Sequence, residues 1–160
     1  MDTAPSQPTP EPRGIIARGP ASPVVRVVIG VDGSAGAAAA LQWAVAEAYR
    51  REVTLCIISA WEEPNHAGRS LAADPARIAA ARVQKALARV LGRPHYPRRI
   101  ACLTPKGRPG RVLLNEVGEA GLLVLGLTAI DAASVPGRVN RYCLRRGRGP
   151  LVFVPAMPTV

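Results

Sequence analysis

From Pro23 onward the sequence alternates short, β-branched apolar runs with longer segments of helical period, and this alternation leaves few folds open. Val24-Val25-Arg26-Val27-Val28-Ile29, closed by Gly30, reads as a strand buried on both faces. A helix opens at Ser34 or Ala35 and runs to about Arg51, with Leu41, Val45 and Ala48 on one face. Val53 to Ala60 is a second strand. Residues 74–91 are a second helix, with Asp74 as N-cap, Pro75 in the first turn, and Val83, Leu87, Val90 and Leu91 facing inward. Arg98 to Leu103 is the third strand and Gly110 to Gly118 the third helix. Leu122 to Leu125, closed by Gly126, is the fourth strand; Gly137 to Arg146 is a short fourth helix, and Pro150 to Pro155 a fifth strand. Uninterrupted apolar strands joined by crossover-length connections predict an α/β fold, a parallel sheet with helices on both faces. Ligands of such sheets sit beyond the carboxyl ends of the strands, where the winding reverses. Alternation alone does not say which strands flank that point.

The 160 residues suit one domain. Pro5, Pro8, Pro10, Pro12 and Pro20 fall in residues 1–22, which have little to bury and predict a disordered extension, leaving 23–158 as the folded domain. No run approaches the roughly 18 apolar residues of a membrane span. The start, Met1-Asp2-Thr3, lacks the basic-then-apolar order of a secretory leader. Cys56, Cys102 and Cys143 form no CxxC pair, which predicts core thiols in a cytoplasmic protein, with no disulfide scaffold and no metal site.

Charge is the lopsided feature. Twenty-one basic residues, all arginine but Lys85 and Lys106, face eleven acidic ones, for a net charge of +10. Arg93, Arg98, Arg99, Lys106, Arg108 and Arg111 form one group without an intervening acid; Arg138, Arg141, Arg145, Arg146 and Arg148 form another. They read either as two solvated faces or as a surface for a phosphate-rich or acidic partner. An aromatic content of 4% leaves little for stacking on bases, so nucleic acid is the disfavoured partner.

One loop carries recognisable chemistry. Gly30-Val31-Asp32-Gly33-Ser34-Ala35-Gly36 follows the first strand. Asp32 stands where a dinucleotide fingerprint needs its second glycine, and no Walker lysine follows. The loop still offers a carboxylate for an amine or hydroxyl, then small residues leading to a helix N-terminus that attracts anions. The competing reading is that Asp32 and Ser34 only cap the helix. Gly126 ends the fourth strand, where it lets the backbone come close to a ligand, and Gly137 precedes another helix start. His66 and His95 lie in polar loops without a partner at ligand spacing, and Gly-x-Ser-x-Gly is absent, so no catalytic residue is assigned.

VVIGVDGS, LQWAVAEA, GRPGRVLLNEVGEAGLLVLG and GRVNRYCLRRGRGPLVFVP, in that order, resemble the universal stress protein family across roughly residues 24–156. The resemblance implies an adenine nucleotide alpha hydrolase-like fold, a five-stranded parallel sheet of order 3-2-1-4-5 that sets Asp32 opposite Gly126. ATP-binding members of the family carry Gly, two residues, Gly, nine residues, then Gly with Ser or Thr. Gly126 matches the first glycine, Ala129 stands at the second, and Gly137-Arg138 closes the motif, with Val139, Tyr142, Leu144, Arg145 and Pro150 in register. The loop is thus shorter by two residues, one glycine is lost, and an arginine replaces the hydroxyl. Asp32 matches the family's nucleotide-contacting aspartate. The nucleotide contacts implied are Asp32, Gly33, Ser34, Gly126, Gly137, Arg138 and Val139, with ATP as a weakened cofactor.

The function so implied is a stress-response regulatory domain acting by binding and dimerisation, not an enzyme. The homodimer would form through Leu151-Val152-Phe153-Val154, the last strand at the sheet edge. One alternative is an ATP-binding member in which Asp32 holds the adenosine end while Arg138 and helix N-termini hold phosphates. Another is an Arg-rich binder of nucleic acid or an acidic partner. Arg138 itself either forks onto a phosphate or closes the pocket by pairing with Asp131 or Asp32.

Overall fold

The computed structural model describes residues 13–19, 23–64, 74–127 and 137–156. In chain order the elements are β1 (Ile15–Arg18), β2 (Arg26–Gly30), α1 (Ala35–Arg51), β3 (Thr54–Ile58), α2 (Pro75–Leu91), β4 (Ile100–Leu103), α3 (Pro109–Val117), β5 (Gly121–Leu127), α4 (Arg138–Arg146) and β6 (Leu151–Pro155). The sheet runs β1-β6-β5-β2-β3-β4. Strands β2 to β6 are mutually parallel where they pair, and their order is the expected 3-2-1-4-5. Winding reverses at β2, which pairs with β3 on one side and β5 on the other.

Side chains alternate across the sheet, and each face receives its own helices. Val27 and Ile29 of β2 pack with Leu41 and Val45 of α1 and Val83 and Val90 of α2. Val28, between them in sequence, joins Leu113 and Val117 of α3 and Cys143 of α4 on the opposite face. Burial on both faces is why the strands read as continuous apolar runs. The outer strand β4 is the exception. Leu103 is exposed, and so is Cys102, contrary to the expectation that all three thiols lie in the core. Leu91, at the last turn of α2, is also exposed and does not face inward.

The N-terminal extension needs a larger correction. Residues 1–12 and 20–22 lie outside the described residues, but Ile15–Arg18 forms β1, antiparallel to β6. Ile15 pairs with Phe153 and Ile16 with Val152. Arg18 then reaches past the strand end, donating to the carbonyl oxygens of Leu144 at 3.0 Å, Gly149 at 3.2 Å and Gly147. Gly14 sits so close that a Cβ there would lie 2.8 Å from Val152 Cγ1 and 2.9 Å from the Trp43 ring. The last strand is therefore not the sheet edge, which removes the free edge from which a homodimer was expected. Residues 157 and 158, assigned to the domain, lie outside the described residues.

Helix α1 ends on Glu52, whose φ of 57° and ψ of 38° place a non-glycine residue in the left-handed region. Its backbone N–H closes the helix onto the carbonyls of Ala48 and Tyr49. A side chain there is strained by about 1 kcal/mol, part of which is offset by the greater unfolded-state freedom of glycine. Glu52→Gly should therefore raise stability by about 0.5–1 kcal/mol, read as a shift of the urea midpoint at constant slope.

Candidate functional site

The tips of β2, β3 and β5 and the starts of α1, α3 and α4 surround a cavity of about 150 Å³ at the point where the winding reverses. Asp32, Ser34, Gly126 and Val139 line it, as do Arg82 and Asn140. The three helices point their N-termini toward this end of the sheet, and none has an acidic residue in its first turn. Their free N–H groups and aligned dipoles favour an anion there.

Each candidate residue has a definite place. Asp32 Oδ1 accepts from the Ser34 backbone N–H at 2.9 Å, and Ser34 Oγ accepts from the Ala37 N–H at 3.1 Å. Ser34 thus caps α1, as the competing reading held of both, while Asp32 braces the turn before it and its carboxylate stays exposed. Gly33 has a φ of 83°, which glycine adopts without strain, and sits beside Arg82, whose Nε lies 3.4 Å from where a Cβ would be.

Gly126, which lines the cavity, also has a packing part. A Cβ on it would fall inside the backbone of Gly36 and Ala37, and a Cβ on Gly36 would strike the Leu127 carbonyl. The close approach that demands glycine is between α1 and β5, backbone to backbone. The Gly126 carbonyl oxygen accepts from Asn140 Nδ2 at 3.0 Å, which ties α4 to the same strand end.

Gly137 and Arg138 open α4 on an exposed surface, and no atom of the described residues lies within 4 Å of a Cβ at Gly137. Arg138 does not line the cavity and makes no ion pair with Asp32 among the described residues. Residues 128–136, which include Ala129 and Asp131, lie outside the described residues, as does His66. Arg82 and Asn140 carry no sequence signal of their own: both are helical residues brought to the cavity by tertiary packing.

Other groups lie away from the cavity. His95 stacks on Tyr49, with ring centroids 5.4 Å apart. Trp61 Nε1 donates to the Thr104 carbonyl at 3.0 Å, and the Lys106 ammonium lies 5.7 Å from its ring. Lys106 pairs with Glu63 at 2.7 Å and Arg108 with Glu62 at 3.9 Å, so part of the first basic group is neutralised within the chain. Burial pushes the thiols of Cys56 and Cys102 up, and that of Cys143 up to about 11, which disfavours the thiolate a nucleophile requires. Among the described residues no group of His, Cys, Asp and Glu is placed to hold a metal. Nor is any described helix long and apolar enough to cross a membrane.

Comparison with known proteins agrees with this architecture. A model of the universal stress protein family matches residues 24–155. Among solved structures, a universal stress protein in complex with cAMP superposes with a TM-score of 0.64 at 24% identity, covering 85% of this chain and 100% of that one. The universal stress protein UspA from Lactobacillus plantarum gives 0.59 at 14% identity, covering 83% and 99%. A family protein from Arabidopsis thaliana with AMP bound also gives 0.59 at 14% identity, covering 83% and 92%. No curated protein sequence matches the chain.

Proposed function

The chain belongs to the universal stress protein family, and on that premise we propose that it is a regulatory domain of the stress response that binds an adenine nucleotide and acts by binding, without turnover. The observation that carries this reading is the convergence of Asp32 and three helix N-termini on one cavity at the strand tips. A carboxylate beside helix starts suits a ligand with hydroxyl groups at one end and an anion at the other. Two structural relatives, one in complex with cAMP and one with AMP bound, support that ligand class.

The favoured ligand is a monophosphate, linear or cyclic, with ATP held more weakly. A cavity of about 150 Å³ is small for a triphosphate. Gly126, the first glycine of the motif, already has its open side against Gly36. An arginine stands where ATP-binding members carry a small hydroxyl. Calorimetric titration with AMP, cAMP and Mg-ATP tests this. The expected result is saturable binding of a monophosphate, about tenfold tighter than ATP, and a loss of about tenfold in Asp32→Ala, which removes a charged hydrogen-bond acceptor. Tightest binding by ATP, or no adenine nucleotide bound at all, would overturn it.

Dimerisation belongs to the same reading in altered form. With β1 on the edge of β6, pairing through the last strand is conditional on β1 leaving.

A further inference from the structure

A cavity of about 750 Å³ lies at the other end of the sheet, against the starts of β2, β3 and β4. It shares no residue with the strand-tip site and is a strand length away from it, about 16 Å for the five residues of β2. Tyr49 and Arg50 from the end of α1, Glu52 beyond it, and Tyr96, Arg98 and Arg99 from the segment before β4 line the space.

That segment reads Gly92-Arg93-Pro94-His95-Tyr96-Pro97-Arg98-Arg99. Pro94 and Pro97 fix the backbone on either side of the two rings. Pro97 is buried, while His95 and Tyr96 are exposed, so the loop is anchored beneath the rings it presents. The His95 and Tyr49 rings lie at 34° to each other, and the Tyr49 hydroxyl is 3.5 Å from His95 Nδ1. Even so, Tyr49 is 47% exposed and Tyr96 40%. Rings held this way lose little freedom when a ligand packs on them.

The charges beside them are available. Arg50 is held by Glu47 at 2.6 Å, but Arg98 and Arg99 have no ion pair among the described residues. Glu52, the one acid of the lining, is unpaired in the same sense. A lipid headgroup or an acidic peptide would use the arginines and leave the rings idle. A base joined to phosphate uses both, and Glu52 can accept from the exocyclic amine of a base. The net charge of +10 favours a polymer of phosphates over a single one. We infer that this cavity binds a single-stranded segment of nucleic acid, with bases stacked on Tyr49 and Tyr96 and phosphates against Arg98 and Arg99. A low aromatic content counts against base stacking only while the rings are taken to be scattered, and here two of the three tyrosines meet within one basic group.

The test is fluorescence anisotropy of the full chain with a short labelled oligocytidylate at about 0.15 M salt, where distant charges are screened. Cytosine avoids offering adenine to the strand-tip site and carries an exocyclic amine for Glu52. Saturable, micromolar binding is expected, at least about tenfold tighter than to a duplex of the same length, whose bases are stacked on one another. Tyr96→Ala should weaken it about tenfold and leave the salt dependence unchanged, while Tyr96→Phe, which keeps the ring, should bind like the wild type. Arg98→Gln combined with Arg99→Gln should weaken it about tenfold and flatten the slope of log affinity against log salt by about 1.4. Arg141→Gln combined with Arg145→Gln, on α4, should change affinity by less than about twofold. All these side chains are exposed, and thermal melts establish that each variant is folded. Absence of saturable binding, equal affinity for the duplex, or a larger loss in the α4 pair would overturn the proposal. So would indifference to Tyr96→Ala while the Arg98 and Arg99 changes weaken binding, since that describes a surface for any polyanion. AMP titration is a separate measurement at a separate site, so failure here leaves the nucleotide reading standing.

Discussion

Gly126→Ala is expected to destabilise the protein by about 3 kcal/mol or more, while Gly137→Ala changes stability by less than about 0.5 kcal/mol. The sequence resemblance aligns both glycines with one nucleotide-binding motif, so a shared ligand role would make the two substitutions alike. Their surroundings make them differ. The methyl group at Gly126 would enter the backbone of Gly36 and Ala37, atoms that cannot rotate aside as the end of a side chain can. Relief requires α1 to lift from β5, and α1 carries Leu41, Val45 and Ala48 into the core on that face. At Gly137 the methyl group meets no atom of the described residues. Urea denaturation of both variants without nucleotide decides the matter. A Gly126→Ala protein as stable as the wild type would mean that the α1–β5 approach is not the reason for glycine there.

The packing part of Gly126 shows where sequence stops informing. A glycine at a strand tip signals that some backbone comes close, but the partner is set by how α1 docks, and local sequence does not encode docking. The parallel strands and the helices were legible, because burial on both faces writes itself as apolar runs and burial on one face as helical period. Strand order was not legible from period and came from the family resemblance. β1 was invisible because its four residues sit among prolines, and its stability comes from pairing with a strand more than a hundred residues away. Arg82 and Asn140 were missed for the same kind of reason. Cys102 looked like a core thiol because β4 reads like the inner strands, while its position as the outer strand leaves it uncovered.

Removing residues 1–22 should convert a monomer into a self-associating protein with micromolar affinity. β6 is the last parallel strand, and its Leu151, Val152, Phe153 and Val154 are buried. Without β1 its outer N–H and C=O groups face water, and the apolar surface that Gly14 shields around Val152 and Trp43 opens as well. That edge is a template for another strand. β1 is a poor one by comparison: it is only four residues long and its register shifts between Ile16 and Arg18. Short, irregular edge strands resist further pairing. Ile15 and Ile16 are left 53% and 67% exposed, too little apolar surface for a stable interface by themselves. What holds β1 in place includes Arg18, which spans three carbonyl oxygens between Leu144 and Gly149. Arg18→Ala should therefore give a partial version of the truncation, with more dimer than wild type and less than the shortened chain. Sedimentation velocity at tens of micromolar separates the cases. A truncated chain that stays monomeric would show that the β6 edge does not recruit a second copy. An intact chain that is already dimeric would show that β1 does not hold the dimer back.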